Sequence, residues 1–177
     1  MIRVFLVGYM GAGKTTLGKI TARKLNLSFV DIDYFMESRF HKKIRDLFEE
    51  RGETGFRELE KKILHEIAEF ENVIVSTGGG APCFFDNMDF MNQKGKTIFL
   101  KVHPDILFRR LRVSTVSRPV LKDKTDEELH TFIAQTLETR SLFYTQAHYI
   151  FNTDELENRW QIDEAACRLC DIVKMNA

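Results

Sequence analysis

The chain has no net charge, few cysteines and no long apolar run, and each shortage argues against a class of protein. Lysine plus arginine and aspartate plus glutamate both number 26, so no general basic field draws the chain to nucleic acid or to a membrane surface. No stretch approaches the roughly 18 apolar residues of a transmembrane helix. Three cysteines are few for a disulfide scaffold and suit a reducing cytoplasm. Cys167 and Cys170 form a C-x-x-C pair inside an expected helix, where we expect packing rather than metal or redox chemistry.

The pattern of apolar runs indicates one α/β domain. The 177 residues leave no room for a second full domain, and the amino terminus passes straight into an apolar run, so we expect no signal or transit peptide. Expected strands lie at 2–7, 28–33, 72–76, 97–101 and 149–152. Their alternation with helical segments predicts a three-layer α/β/α fold around a five-stranded parallel sheet, doubly wound, with ligands at the carboxyl ends of the strands.

The segments between these strands have helical spacing. We expect helices at 14–25, 34–70, 84–93, 104–112, 125–147 and 156–175, with a break in the second near Gly52. Thr125 and Glu128 resemble a capping box at the start of the fifth helix. The stretch 113–124 is polar, irregular and basic, which predicts a long surface loop.

The strongest motif is the phosphate loop, residues 8–16. It fits the pattern G-x-x-x-x-G-K-[ST], with Gly8, Gly13, Lys14 and Thr15 at the defining positions. Small residues let backbone N–H groups converge on a phosphate, the helix N-terminus adds partial positive charge, and Lys14 adds a full charge. Thr15 is placed to offer its hydroxyl to Mg²⁺. A chance match in a chain of this length is on the order of 1%, so an ordinary glycine-rich turn is the weaker interpretation.

Two further motifs follow the second and third expected strands and face the same crevice. The pair Asp31 and Asp33 places two carboxylates on the same side of an extended segment, where one can support a metal and the other a substrate hydroxyl, unless both are solvated loop residues. The run Gly78 to Gly80 lets the backbone approach a ligand, the alternative being a flexible turn before Pro82. No acid ends the third strand, so a Walker-B aspartate is absent there and a small-molecule kinase fits better.

In order and spacing these motifs resemble the shikimate kinase family, a member of the P-loop NTPase group related to nucleoside-monophosphate kinases. The resemblance covers nearly the whole chain, through residues 8–15, 29–33, 55–58, 78–80, 118–121 and Arg140 followed by Tyr144. It implies one domain over 1–177, with a substrate-binding helical region at about 33–61 and a lid at about 112–125. It also implies a cytoplasmic, Mg²⁺-dependent monomer. Its reaction would be transfer of the γ-phosphate of ATP to the 3-hydroxyl of shikimate, in chorismate and aromatic amino acid biosynthesis.

The same resemblance implies a role for each matching residue. The phosphates of ATP would be held by Gly11, Ala12, Gly13, Lys14, Thr15 and Thr16, with Arg110 over the adenine and Arg118 of the lid on the transferring phosphate. Thr15 would bind Mg²⁺, and Asp31 would support the metal through water. Shikimate would be bound by Asp33, Arg57, Gly78, Gly79, Gly80 and Arg140, the two arginines on its carboxylate. Lys14, Asp33 and Arg118 would be the catalytic residues.

Two other functions are compatible with parts of this pattern. A kinase of the same group acting on gluconate or on a nucleoside monophosphate shares the phosphate loop. Arg57, Arg140 and the triple glycine favour a small carboxylated polyol, but gluconate is one too. A nucleotide-binding module without turnover is the rival from another class, and it has no need of Asp33 or Arg118.

Overall fold

A computed structural model of the chain describes residues 1–113 and 125–175. This part of the chain contains five strands and seven α-helices, with at least one helix between consecutive strands. The strands are β1 Arg3–Val7, β2 Ser28–Asp31, β3 Val73–Ser76, β4 Lys96–Lys101 and β5 Tyr149–Asn152. The helices are α1 Lys14–Leu25, α2 Ile32–Phe40, α3 Ile44–Ile67, α4 Asn87–Lys94, α5 Pro104–Val113, α6 Asp126–Tyr144 and α7 Arg159–Lys174. A short 3₁₀ helix, Ala81–Cys83, follows β3.

All neighbouring strands pair in parallel, in the order β2-β3-β1-β4-β5, which confirms the predicted five-stranded sheet. The central strand β1 pairs Phe5 with Val75 of β3 on one side and with Thr97 of β4 on the other. Its last four residues are fully buried because helices cover both faces of the sheet. The carboxyl end of β1 therefore opens into the middle of the crevice.

Two apolar clusters join the sheet to the two layers of helices that cover it. Leu6 of β1 packs in a cluster with side chains of α1, α5, α6 and α7, while Phe5 belongs to a cluster with α2, α3 and α4. Successive strand residues point to opposite faces, so one strand supplies both clusters. The three-layer α/β/α prediction is confirmed.

The predicted element boundaries hold best where a local signal marks them. Helix α1 begins at Lys14 as expected, and the capping box of Thr125 and Glu128 opens α6. The break at Gly52 is present, with φ 66° and ψ 177° inside α3. A second interruption, at His41 with φ 53°, was missed.

The prediction that Asp31 and Asp33 share an extended segment was wrong. Strand β2 ends at Asp31, and the chain is already helical at Ile32, so Asp33 lies in the first turn of α2. The reason is local, because Asp31 Oδ1 accepts the N–H of Tyr34 and caps the helix. The carboxylate of Asp31 therefore lies at the end of a strand, and that of Asp33 at the start of a helix.

The predicted surface loop and lid, at 113–124 and about 112–125, lie almost entirely outside the described residues, as does Arg118. Val113 is the last residue of α5, and Thr125 is the N-cap of α6. Within the two described ranges, the helices are all too short or too polar to cross a bilayer.

Candidate active site

The phosphate loop joins β1 to α1 with a backbone that only glycine allows at its start. Gly8 has φ 140°, and a Cβ built there would lie 2.8 Å from the carbonyl oxygen of Leu100. The buried Lys14 folds over the loop and donates from Nζ to the carbonyls of Gly8 at 2.7 Å and Tyr9 at 2.8 Å. No described side chain caps α1, so its N-terminus is open to an anion.

Thr15 and Asp31 meet beside this loop. Thr15 Oγ1 donates to Asp31 Oδ2 at 2.6 Å, which links the first turn of α1 to the end of β2. A hydroxyl and a carboxylate are the hard oxygen ligands that Mg²⁺ prefers. The predicted pair is thus brought together, and its chemistry fits a magnesium site next to bound phosphates.

The triple glycine after β3 lies between the phosphate loop and the charged side chains of the α2 and α3 side of the crevice. A Cβ built on Gly78 would lie 2.6 Å from Glu60 Oε1 and 3.1 Å from Asp33 Oδ1. One built on Gly79 would lie 3.3 Å from the backbone nitrogen of Met10 in the phosphate loop. These close approaches need residues without side chains, so the interpretation of this run as a site element is favoured over a flexible turn.

Arg57 is held at the third glycine by a buried carboxylate that the sequence analysis missed. Its Nη1 donates to Glu60 Oε2 at 2.7 Å, and its Nη2 lies 2.7 Å from a Cβ built on Gly80. Glu60 is only 1% exposed, and burial raises the pKa of its carboxyl, with the Arg57 guanidinium opposing that shift. A signal was present, because Glu60 falls on the apolar stripe of α3 with Phe56 and Ile63.

Arg140 approaches the same glycines from α6. Its Cζ lies 5.6 Å from the ring centroid of Tyr9, and its Nη1 lies 3.7 Å from a Cβ built on Gly79. One turn later in α6, Tyr144 is fully buried and donates its hydroxyl to the carbonyl of Gly79, and burial raises the pKa of that hydroxyl. Burial also raises the pKa of the nearby Cys83 thiol to about 11, which keeps it protonated at neutral pH.

Arg110 closes the other side of the phosphate loop. Its guanidinium donates to the carbonyls of Thr153 at 2.6 Å and Asp154 at 3.0 Å, and to that of Gly11 at 3.3 Å. The side chain is partly buried, and this burial lowers the pKa of its guanidinium. The arginine is therefore fixed beside the loop by carbonyls of the β5–α7 connection, and its contact with adenine stays a prediction.

The crevice combines an anion-binding loop, an oxygen pair for a hard cation, and carboxylates next to guanidinium groups. Such a set can bind a polyphosphate at one end and a small carboxylated alcohol at the other. No group of three or more His, Cys, Asp or Glu side chains in 1–113 and 125–175 forms a separate metal cluster. All three cysteines lie in these ranges and form no disulfide; Cys170 is buried in α7, whereas Cys167 is exposed, so the packing interpretation fits Cys170 alone.

Comparison with known proteins identifies one family. The family model described as shikimate kinase matches residues 10–170. A shikimate kinase of Bacteroides thetaiotaomicron is 64% identical over 175 residues, covering 99% of this chain and all of the relative. A crystal structure of shikimate kinase from the same organism has a TM-score of 0.95 at 64% identity and covers 97% of this chain and 98% of that chain. A shikimate kinase from Acinetobacter baumannii in complex with shikimate has a TM-score of 0.85 at 30% identity, covering 99% and 94%.

Proposed function

The chain belongs to the shikimate kinase family, and we propose that its crevice transfers the γ-phosphate of ATP to the 3-hydroxyl of shikimate. One observation carries the proposal: the triple glycine lies next to the phosphate loop, the carboxylates of Asp33 and Glu60, and the guanidinium groups of Arg57 and Arg140. A phosphoryl donor and a carboxylated acceptor can therefore meet within one crevice. Family membership favours shikimate over gluconate, over nucleoside monophosphates and over a module without turnover.

On the donor side, the loop residues 11–16 bind the phosphates of ATP. Lys14 leaves the carbonyls of Gly8 and Tyr9 to contact the phosphates, and its charge stabilises the negative charge that moves onto the leaving ADP. Arg110 lies over the adenine, and Arg118, within a lid at about 112–125, contacts the transferring phosphate.

On the acceptor side, the substrate lies against α2 and against α3 as far as about residue 61, within the region 33–61. Arg57 and Arg140 bind the carboxylate of shikimate, and the backbone of Gly79 and Gly80 approaches its ring. Asp33 orients the 3-hydroxyl and accepts its proton as the hydroxyl oxygen forms a bond to the γ-phosphorus. The bond from that phosphorus to the β,γ-bridging oxygen breaks, so the products are shikimate 3-phosphate and ADP.

Thr15 and Asp31 are the residues that would hold Mg²⁺, with Asp31 acting through water. The ion would supply positive charge that offsets the negative charge of the ATP phosphates. We further propose that residues 1–177 form a single domain that acts as a monomer in the cytoplasm. Its product would enter chorismate and aromatic amino acid biosynthesis.

A coupled assay of ADP release tests the proposal. The protein is mixed with ATP and Mg²⁺, and shikimate, gluconate or a nucleoside monophosphate is added in turn. Of the three acceptors, we expect only shikimate to cause ADP release, and we expect EDTA to abolish that release by removing the metal. Release with gluconate instead, or release that does not depend on an acceptor, would overturn the proposed acceptor.

A further inference from the structure

The ring of Phe84 covers the guanidinium of Arg57. The Cζ of Arg57 lies 4.3 Å from the ring centroid of Phe84, closer than the 5.3 Å to its chain neighbour Phe56. A guanidinium within about 6 Å of an aromatic centroid is attracted by the ring, most strongly where water is excluded. The side chain of Arg57 is only 13% exposed, so this contact is largely desolvated.

Hydrogen bonds alone leave the orientation of this guanidinium incompletely fixed. Its Nη1 is paired with Glu60, but its Nε is buried and has no hydrogen-bond partner among the described residues. One ion pair at one end permits the plane to rotate about that contact. The flat ring of Phe84 supplies the second restraint, because stacking favours one plane.

Hydrogen bonds hold the backbone of the segment that carries Phe84. The amide of Cys83 donates to the carbonyl of Gly80 at 2.9 Å, and Asn87 Nδ2 donates to the carbonyl of Ala81 at 2.9 Å. Phe85 has φ 53°, a left-handed conformation that is uncommon for residues with a side chain, and the chain turns there after Phe84. The triple glycine and the aromatic ring are thus parts of one ordered segment on two sides of Arg57.

We infer that Phe84 is a positioning residue for the acceptor: its ring holds the Arg57 guanidinium in the plane that receives the substrate carboxylate. The inference rests on the proposed function, in which Arg57 binds that carboxylate. Covering one face of the cation also keeps water from it, so its remaining N–H groups act on the carboxylate in a less polar medium. Since Phe84 acts through Arg57, its effect is on substrate binding.

Phe85 provides a matched control in the next position. It is 55% exposed, and its ring lies 5.2 Å from Lys61 Nζ, which is paired with Asp86. The two phenylalanines therefore make the same kind of contact with a cation, one inside the crevice and one outside it. Replacing each phenylalanine by leucine therefore distinguishes a specific role of Phe84 in the site from a general effect of mutating this segment.

The test compares Phe84→Leu, Phe84→Tyr and Phe85→Leu in the ADP-release assay with shikimate. We expect Phe84→Leu to raise KM for shikimate about tenfold, which is about 1.4 kcal/mol, with kcat and KM for ATP nearly unchanged. We expect Phe84→Tyr, which keeps the ring, and Phe85→Leu to match the wild type. In an Arg57→Ala background the effect of Phe84→Leu is expected to disappear, because no guanidinium remains to be positioned.

Three results would overturn the inference: an unchanged KM for shikimate in Phe84→Leu, an equal rise in Phe85→Leu, or an undiminished effect in the Arg57→Ala background. Urea unfolding checks that each variant is folded, and Phe84→Met replaces Phe84→Leu if the latter is not. A wild-type protein that releases no ADP with shikimate contradicts the proposed function instead. The two failures are therefore distinguishable.

Discussion

Adding one methyl group at Gly80 tests the acceptor site directly. A Cβ on this residue would lie 2.7 Å from Arg57 Nη2, 2.8 Å from Nη1 and 2.9 Å from Cζ. Favourable contacts of a carbon with its neighbours begin at about 3.5 Å, so the guanidinium must move by about 0.8 Å in Gly80→Ala. The backbone itself tolerates alanine, because Gly80 has φ −88° and ψ −25°.

That displacement is large compared with the tolerance of a hydrogen bond. Charge-assisted bonds between guanidinium and carboxylate have donor–acceptor distances of about 2.7–2.9 Å, and a shift of this size removes most of their benefit. A hydrogen bond to a charged group contributes about 1.5–3 kcal/mol. We therefore expect KM for shikimate to rise about 10- to 150-fold in Gly80→Ala, since each 1.36 kcal/mol is a factor of ten.

The assay varies shikimate at saturating ATP, and then ATP at saturating shikimate. We expect KM for ATP to stay at the wild-type value, because Gly80 is not the glycine that contacts the phosphate loop. The control is Gly55→Ala in α3, where the added Cβ meets only the side chain of Arg51, at 3.1 Å. An unchanged KM for shikimate in Gly80→Ala would refute the placement of the substrate carboxylate at Arg57.

Three other changes probe single groups. Asp33→Asn is expected to lower kcat by about 10²- to 10⁴-fold and leave KM for ATP unchanged; an unaltered kcat would remove Asp33 from proton transfer. Glu60→Gln breaks a buried ion pair, so we expect the free energy of unfolding in urea to fall by about 3 kcal/mol, whereas an unchanged midpoint would show that Glu60 carries no charge in the folded protein. The ring of His65 stacks on that of Phe90, with 3.7 Å between the ring centroids. Burial lowers the pKa of His65, and the positive charge of Lys61 lowers it to a smaller extent. The neutral ring therefore stabilises the fold fully above its ordinary pKa of 6.5, and this stabilisation is lost as the pH falls below that value. Between about pH 7.5 and pH 5.5, the free energy of unfolding in urea should fall less in His65→Phe than in the wild type. Equal falls in the two proteins would contradict this reasoning.

The sequence predicted the parts of the fold that depend on local pattern. The five strands, the start of α1 at Lys14 and the capping box at Thr125 follow from apolar runs and from side chains that bond to nearby backbone. The phosphate loop follows from a motif that defines its own geometry. These features need little information from distant residues.

Other parts could not be predicted because they depend on contacts across the fold. Asp33 enters a helix because Asp31 caps it, a choice that the apolar run 28–33 does not reveal. Glu60 is a charged residue whose burial makes sense only beside Arg57 and the glycines after β3. Phe84 lies in a stretch with no motif, and only the folded chain shows the cation beneath its ring.

The parallel sheet also sets an order of events while the chain is being synthesised. Strand β1 is made first, yet its neighbours are β3, which pairs Val73 with Arg3, and β4, which begins at Lys96. A ribosome adds roughly 5–20 residues per second, so the central strand waits about 3.5–14 s for its first partner. During that interval its apolar side chains have no sheet to join, so the central strand stays unpaired until β3 has been made.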